Sequence, residues 1–156
     1  MLSIKELLAR REFVSVATSD LSGQPNAAPK MILDVDDKFI YLVDYSNGRT
    51  CENLKINPRI SLSFSDPEEL KGYKVNGTVK VIAKDAISKV LMRRLEARKI
   101  ALSTERIIRG VRSQKKHQHF ELGIPFEFVV YKIKFQELTE IGPQGEISRR
   151  KPGEAQ

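Results

Sequence analysis

The sequence predicts a mainly β fold, a six-stranded antiparallel sheet closed into a small β-barrel, with helices. Three observations point there. Six short apolar runs are spaced along the chain, several alternating with period two and bounded by Asp, Asn, Gly or Pro. Most of the connections are short, and short turns join antiparallel neighbours. Closing such a sheet into a barrel also removes its edges.

The elements follow in order. Ser3 with Glu6 three residues on forms a capping box, and Ile4, Leu7 and Leu8 supply the apolar stripe of a first helix. Phe13-Val-Ser-Val-Ala-Thr18 alternates as a strand and ends at the turn Asp20-Leu-Ser-Gly23. A second strand runs from Asn26 to Val35, with Pro29 placed where no ladder donor is needed or where the strand bends. Asp36-Asp37 turns the chain into a third strand, Lys38–Val43.

Asn47-Gly48 is a turn signal, because Gly adopts positive φ without a Cβ clash. Arg49 and Thr50 then open a helix of about two turns. Asn57-Pro58 stops it, since the residue before Pro is pushed out of the α region. The fourth strand is Arg59–Phe64, broken by Asp66-Pro67, and the fifth is Tyr73–Ile82, with Gly77 as a bulge or barrel bend. Ile87, Val90, Leu91 and Leu95 mark one helical face, and Ile107, Ile108 and Val111 mark a second helix that Gly110 weakens. Phe126–Phe135 is the clearest strand. Residues 1–141 read as one domain with a helical insert at 84–116, and 142–156 as a frayed, flexible tail.

At 156 residues a single domain buries roughly 68–70% of its surface, enough for a core without staples. Cys51 is the one cysteine, so no internal disulfide forms and a reducing, cytoplasmic location is expected. The N-terminus reads as too charged for a signal peptide, and no run approaches the ~18 apolar residues of a membrane span.

The net charge of +7 is uneven: residues 84–116 hold eleven Lys/Arg against three acids, leaving the remainder at −1. A solvated helix face accounts for that block, and an acidic partner, nucleic acid, an anionic membrane surface or a phosphorylated ligand is the functional alternative. No aromatics interleave with these cations, which counts against single-stranded nucleic acid. His117 and His119 are two residues apart without partners at zinc spacing, and read as a loop. The sequon Asn76-Gly77-Thr78 lacks a secretion signal, and is set aside.

The start of the second helix is an anion site by construction. The first N–H groups of a helix lack internal partners, and here an Arg and a Thr hydroxyl stand beside them. The order of three motifs adds to this: Pro25-Asn-Ala-Ala-Pro-Lys-Met-Ile-Leu33, then Gly48-Arg-Thr-Cys-Glu-Asn-Leu-Lys-Ile-Asn-Pro-Arg59, then Val75-Asn-Gly-Thr-Val79. Together they resemble the FMN-binding split barrels related to pyridoxamine 5′-phosphate oxidase. The resemblance covers residues 5–82 and the last strand near 126–138.

That resemblance implies a homodimer with FMN at the subunit interface, and an oxidoreductase acting on a small molecule not specified by the sequence. It implies that Lys30, Met31 and Ile32 lie along the flavin ring, their backbone groups meeting its polar edge. It places Asp44, Tyr45 and Ser46 beside the ring or its ribityl chain. Arg49 and Thr50 would hold the phosphate, with Asn53 supporting them. Many relatives carry Lys where this chain has Thr50, so one charge-assisted bond worth about 1.5–3 kcal/mol is absent. Cys51 reads as a small buried hydrophobe. No side chain stands out as a catalytic acid or base, although Tyr45 and Tyr73 are candidate proton donors. The chain has no Trp, and its C-terminus lacks the oxidase's Arg/His substrate motif, so a vitamin B6 substrate is not implied. A non-catalytic flavin carrier or sensor, or the same barrel holding deazaflavin or haem, are the alternatives.

Overall fold

The computed structural model describes residues 3–113 and 127–153. In chain order the elements are α1 (Ile4–Ala9), β1 (Phe13–Ser19), β2 (Pro25–Val35), β3 (Phe39–Asp44), α2 (Arg49–Ile56), β4 (Arg59–Asp66), β5 (Lys71–Ala83), α3 (Lys89–Ser113), β6 (Val129–Ile141) and β7 (Ile147–Arg150). The sheet order is β3-β2-β1-β4-β5-β6-β7, and β3 also pairs with β6. The first six strands therefore close into an antiparallel barrel, as the sequence predicts.

Local chemistry sets each boundary. The capping box of α1 forms: Glu6 N–H donates to Ser3 Oγ at 3.2 Å, and Ser3 N–H donates to Glu6 Oε2 at 2.7 Å. Pro29 lies opposite Ser15, outside the β2–β3 ladder that begins at Met31 and Val43. At Gly77 the β5–β6 register shifts, and a Cβ there would meet the Lys134 carbonyl oxygen at 2.6 Å. Gly is required at that bulge by close backbone approach.

Inside the barrel lies one apolar cluster, fed by α1, α2 and all six closing strands; Val16, Ile40, Leu42, Leu62, Val75 and Ile133 are fully buried. Cys51 belongs to it at 1% exposure, as a small hydrophobe. A second cluster lies on the outer face of β2, β3 and β6, where Leu91, Leu95 and Leu102 of α3 cover Met31, Leu33, Val43, Phe128 and Val130.

Two expectations change here. The insert is one continuous helix from Lys89 to Ser113 instead of two. Its buried stripe is Leu91, Leu95 and Leu102, while Val90, Ile107, Ile108 and Val111 face solvent. Apolar residues on this helix exceed what one face can bury, so spacing alone named four that stay exposed, Val90, Ile107, Ile108 and Val111. The segment from Gly142, expected to fray, carries β7, which pairs with β6 from Leu138↔Arg150 to Ile141↔Ile147. No helix among the described residues is long and apolar enough to cross a membrane.

The basic block also acquires a structural account. Arg94 pairs with Asp34, Arg106 with Glu12, and Arg98 donates to the Arg11 carbonyl at 2.7 Å. These contacts fasten α3 to the barrel, so several of its cations serve docking within the chain. Lys115, Lys116, His117 and His119 lie outside the described residues.

Candidate functional site

The end of β3 and the middle of β2 meet in a buried polar centre. Asp44 is 2% exposed and Lys30 is 8% exposed, with Lys30 Nζ 2.8 Å from Asp44 Oδ1. The same Oδ1 accepts from Ser46 N–H at 2.9 Å and from Ser46 Oγ at 2.7 Å. The other oxygen, Oδ2, accepts from the Tyr131 hydroxyl at 2.5 Å. Lys30 Nζ also donates to Ser46 Oγ at 3.3 Å. Burial opposes the charge on Asp44, but the bonds from Lys30, Tyr131 and Ser46 outweigh it and hold the carboxyl below the usual range. The Tyr131 hydroxyl is pushed up, first by burial and then by the Asp44 carboxylate.

A β-bulge makes this meeting possible. Val35 pairs with Ile40 and Asp34 with Tyr41, but the register shifts before Ile32↔Leu42 and Met31↔Val43. The shift of one residue brings Lys30 level with Asp44 instead of Tyr45.

A cavity of about 430 Å³ opens beside this centre. Its walls are Pro29, Lys30 and Met31 from β2, Val43 and Asp44 from β3, Tyr45 and Ser46 beyond it, Glu12 and Phe13, and Lys99, Leu102 and Arg106 from α3. That volume is in the range of small-molecule sites. The Tyr45 hydroxyl is buried without a hydrogen-bond partner, and burial pushes its pKa up to about 12. Lys99 Nζ lies 5.1 Å from the centre of the Tyr45 ring, and burial lowers its pKa.

Of the nine residues expected at a cofactor, five line this cavity: Lys30, Met31, Asp44, Tyr45 and Ser46. Ile32 turns its side chain into the barrel interior, and its N–H donates to the Glu12 carbonyl at 2.8 Å. Thr50 and Asn53 face inward, at 2% and 4% exposure. Thr50 Oγ1 accepts from Asn26 Nδ2 at 3.0 Å, and Asn53 Nδ2 donates to Thr18 Oγ1 at 3.1 Å. They tie α2 to β1 and β2. Arg49 is exposed at the first turn of α2. The N-cap there is Gly48, which offers no side-chain cap, so the first N–H groups of α2, next to Arg49, have no side-chain acceptor at that position. The Ser46 hydroxyl bridges the two places: it lines the cavity and lies 3.7 Å from where a Cβ on Gly48 would be.

The residues that spacing did not find are Tyr131, Lys99 and Arg106. Tyr131 sits within an apolar strand, and the two cations sit in a charge block, so nothing local marked any of the three. Of the candidate proton donors, Tyr73 stacks on Phe64 with ring centres 5.1 Å apart, and it does not line this cavity. A more open hollow of about 680 Å³, lined by Thr18, Arg59, Ser61, Asn76, Thr78 and Gln136, lies over β1, β4 and β5. None of the nine expected residues lines it. Among the described residues no group of three or more His, Cys, Asp or Glu is placed to hold a metal.

Comparison with known proteins places this geometry in context. The family model for pyridoxamine 5′-phosphate oxidase matches residues 3–141. No curated protein matches the chain. Several solved structures resemble it. A protein related to general stress protein 26, from Clostridium acetobutylicum, aligns with TM-score 0.60 and 21% identity over 94% of this chain and 89% of its own. HutZ, a haem storage protein from Vibrio cholerae, aligns with TM-score 0.59 and 21% identity over 92% and 96%. An FMN-binding, pyridoxamine 5′-phosphate oxidase-related protein from Nostoc punctiforme aligns with TM-score 0.54 and 13% identity over 94% and 90%. At these identities the likeness establishes a shared fold.

Proposed function

The chain belongs to the pyridoxamine 5′-phosphate oxidase family, and from that premise we propose that it is an FMN-binding flavoprotein, an oxidoreductase acting on a small molecule. The observation that carries this is the convergence of Lys30, Met31, Asp44, Tyr45 and Ser46 on one cavity beside the bare, Arg49-flanked start of α2. A ring-bearing phosphate ester needs both parts: an apolar slot with a few fixed polar groups, and an anion cradle next to it.

The residues present fit such a group. The first N–H groups of α2, which have no side-chain cap, and the Arg49 fork suit a phosphate, because a guanidinium matches phosphate oxygens bidentately. Met31, Val43 and Phe13 offer apolar walls to a flat ring, and the Tyr45 hydroxyl is a buried polar group with capacity to bond. Thr50 and Asn53 serve that cradle by fixing α2 against β1 and β2. Lys30 is anchored by Asp44, which Ser46 and Tyr131 hold in turn, so its ammonium stands in the wall at a set position. Bound FMN supplies hydride and single-electron transfer, and the protein contributes position and electrostatics.

The homodimer belongs to this proposal. Phe13 at the cavity and Ile100, Ile107 and Val111 on α3 are each more than half exposed, apolar surface of the kind that a second copy covers. The absorption spectrum of the purified protein tests the cofactor assignment, with mass spectrometry of the released ligand. Flavin bands and FMN are expected. A Soret band, a deazaflavin, or a colourless protein that added FMN does not stabilise would overturn it. Reduction by NADH or NADPH then separates an oxidoreductase from a carrier.

A further inference from the structure

The open hollow of about 680 Å³ over β1, β4 and β5 shares no residue with the cavity beside Asp44. Two irregularities in the sheet make it. β1 pairs with β4 only from Ser15↔Ser63 to Ala17↔Ser61. Beyond Ala17 the strands part, with Thr18 and Ser19 on one bank and Arg59 and Ile60 on the other. Across β5 the register passes from Asn76↔Glu137 to Gly77↔Phe135, so Gln136 is the extra residue of the bulge and joins the lining. The banks are held from behind. Thr18 Oγ1 accepts from Asn53 Nδ2 at 3.1 Å and Ser19 Oγ from Asn57 Nδ2 at 3.2 Å, while each hydroxyl keeps its own proton to donate. Ile60 packs into the barrel interior at 4% exposure.

The chemistry of this lining is one-sided. It has hydroxyls on Thr18, Ser19, Ser61 and Thr78, amides on Asn76 and Gln136, no aromatic ring and no carboxylate; Arg59 is its single charge. Arg59 is exposed, and its backbone N–H donates to Asn57 Oδ1 at 3.4 Å. Among the described residues its guanidinium enters no ion pair and no hydrogen bond. The register carries positive charge along the rim. Arg59 lies opposite Thr78 and Thr78 opposite Lys134, so these three side chains share the outer face of the sheet. Lys80 and Lys132, opposite each other and two residues further along their strands, lie on that face too. Lys132 stands 4.1 Å from the centre of the Phe39 ring. Glu137, opposite Asn76, is absent from the lining and accepts from the Thr139 hydroxyl at 3.4 Å.

We propose that this hollow binds a small phosphorylated sugar or polyol, with Arg59 as its phosphate ligand. The planar guanidinium takes two phosphate oxygens at once, and Lys80 and Lys134 add positive potential that draws a dianion in. The hydroxyl and amide side chains then meet the ligand's own hydroxyls. With no ring to stack on, the lining suits a polar body, which sets it apart from the apolar slot on β2 and β3.

Isothermal titration of the full-length protein with ribose 5-phosphate, ribose and inorganic phosphate tests the assignment. Ribose 5-phosphate is expected to bind about tenfold or more tightly than either, because each of those lacks one half of the contacts. Arg59→Gln should weaken it by about tenfold or more, and Arg59→Lys by less, with thermal unfolding of both variants unchanged. Absence of ribose 5-phosphate binding, or an affinity that survives Arg59→Gln, would overturn the proposal. Equal affinity for inorganic phosphate would reduce the hollow to a charged patch and overturn it as well. The same titration of Arg49→Ala separates this site from the start of α2. Binding retained in that variant sustains the hollow, whereas binding lost there and kept in Arg59→Gln would move the phosphate to α2 and contradict it.

Discussion

Strands β2, β3 and β6 have apolar clusters on both faces, and the two clusters differ in how they are built. The interior cluster draws on α1, α2 and six strands, and closes on itself. The outer one depends on a single long helix laid over Met31, Leu33, Val43, Phe128 and Val130. The first makes the barrel. The second makes a roof, and the roof carries one wall of the cavity. The barrel's interior packing and this wall of the cavity are thereby supplied by different parts of the chain.

Asp44 lies where the two regions join, and its loss gives the largest expected effect. Asp44→Asn leaves Lys30 buried without its counter-charge, and should cost about 3–5 kcal/mol in urea unfolding. A loss below ~1 kcal/mol would mean that Lys30 reaches water instead. The acid limb of stability follows the same group. Its folded-state pKa lies below its unfolded one, so the unfolded chain binds the extra proton. The stabilisation is present above the ordinary carboxylate range, at about pH 4, and is lost as pH falls through the depressed folded value. Asp44→Asn should flatten that limb.

Next in size is the contrast between two leucines. Leu62→Ala, in the barrel interior at 0% exposure, should cost about 2–5 kcal/mol and lower protection from hydrogen exchange everywhere. Leu95→Ala, under the roof at 1% exposure, should cost about 2–3 kcal/mol, toward the lower end because a docked helix can resettle. Its protection loss should centre on α3. Uniform loss in both variants would make roof and barrel one cooperative unit. The smallest effect belongs to Arg94→Ala. Its pair with Asp34 is half exposed, so less than ~1 kcal/mol is expected. A larger cost would show that charge, more than leucine packing, holds α3 down.

The barrel was legible because its signals are local. Period-two runs, the Asp20–Gly23 turn, Asn57-Pro58 and the Gly77 bulge each act within a few residues. The candidate site was legible in part, through the motifs around Lys30 and Arg49. Its geometry was not. Lys30 and Asp44 meet only because a bulge shifts the β2–β3 register by one residue, and no single residue there announces it. Tyr131 and Lys99 come from sequence-distant elements, and their roles arise from packing. The roof was misread as two helices for a related reason. Periodicity reports that apolar faces exist, whereas coverage decides which is buried, so Ile107 and Val111 remain exposed while Leu102 does not.

The central claim joins the cavity to the start of α2 as a single FMN site, and one measurement addresses it most directly: FMN affinity of the native protein against that of Arg49→Ala, by fluorescence titration. Arg49 is exposed, so its removal should leave the fold intact. Saturable FMN binding by the native protein is predicted, weakened about tenfold or more in the variant through loss of one charge-assisted phosphate contact. Absence of FMN binding by the native protein, or equal affinity in the two, would contradict the account.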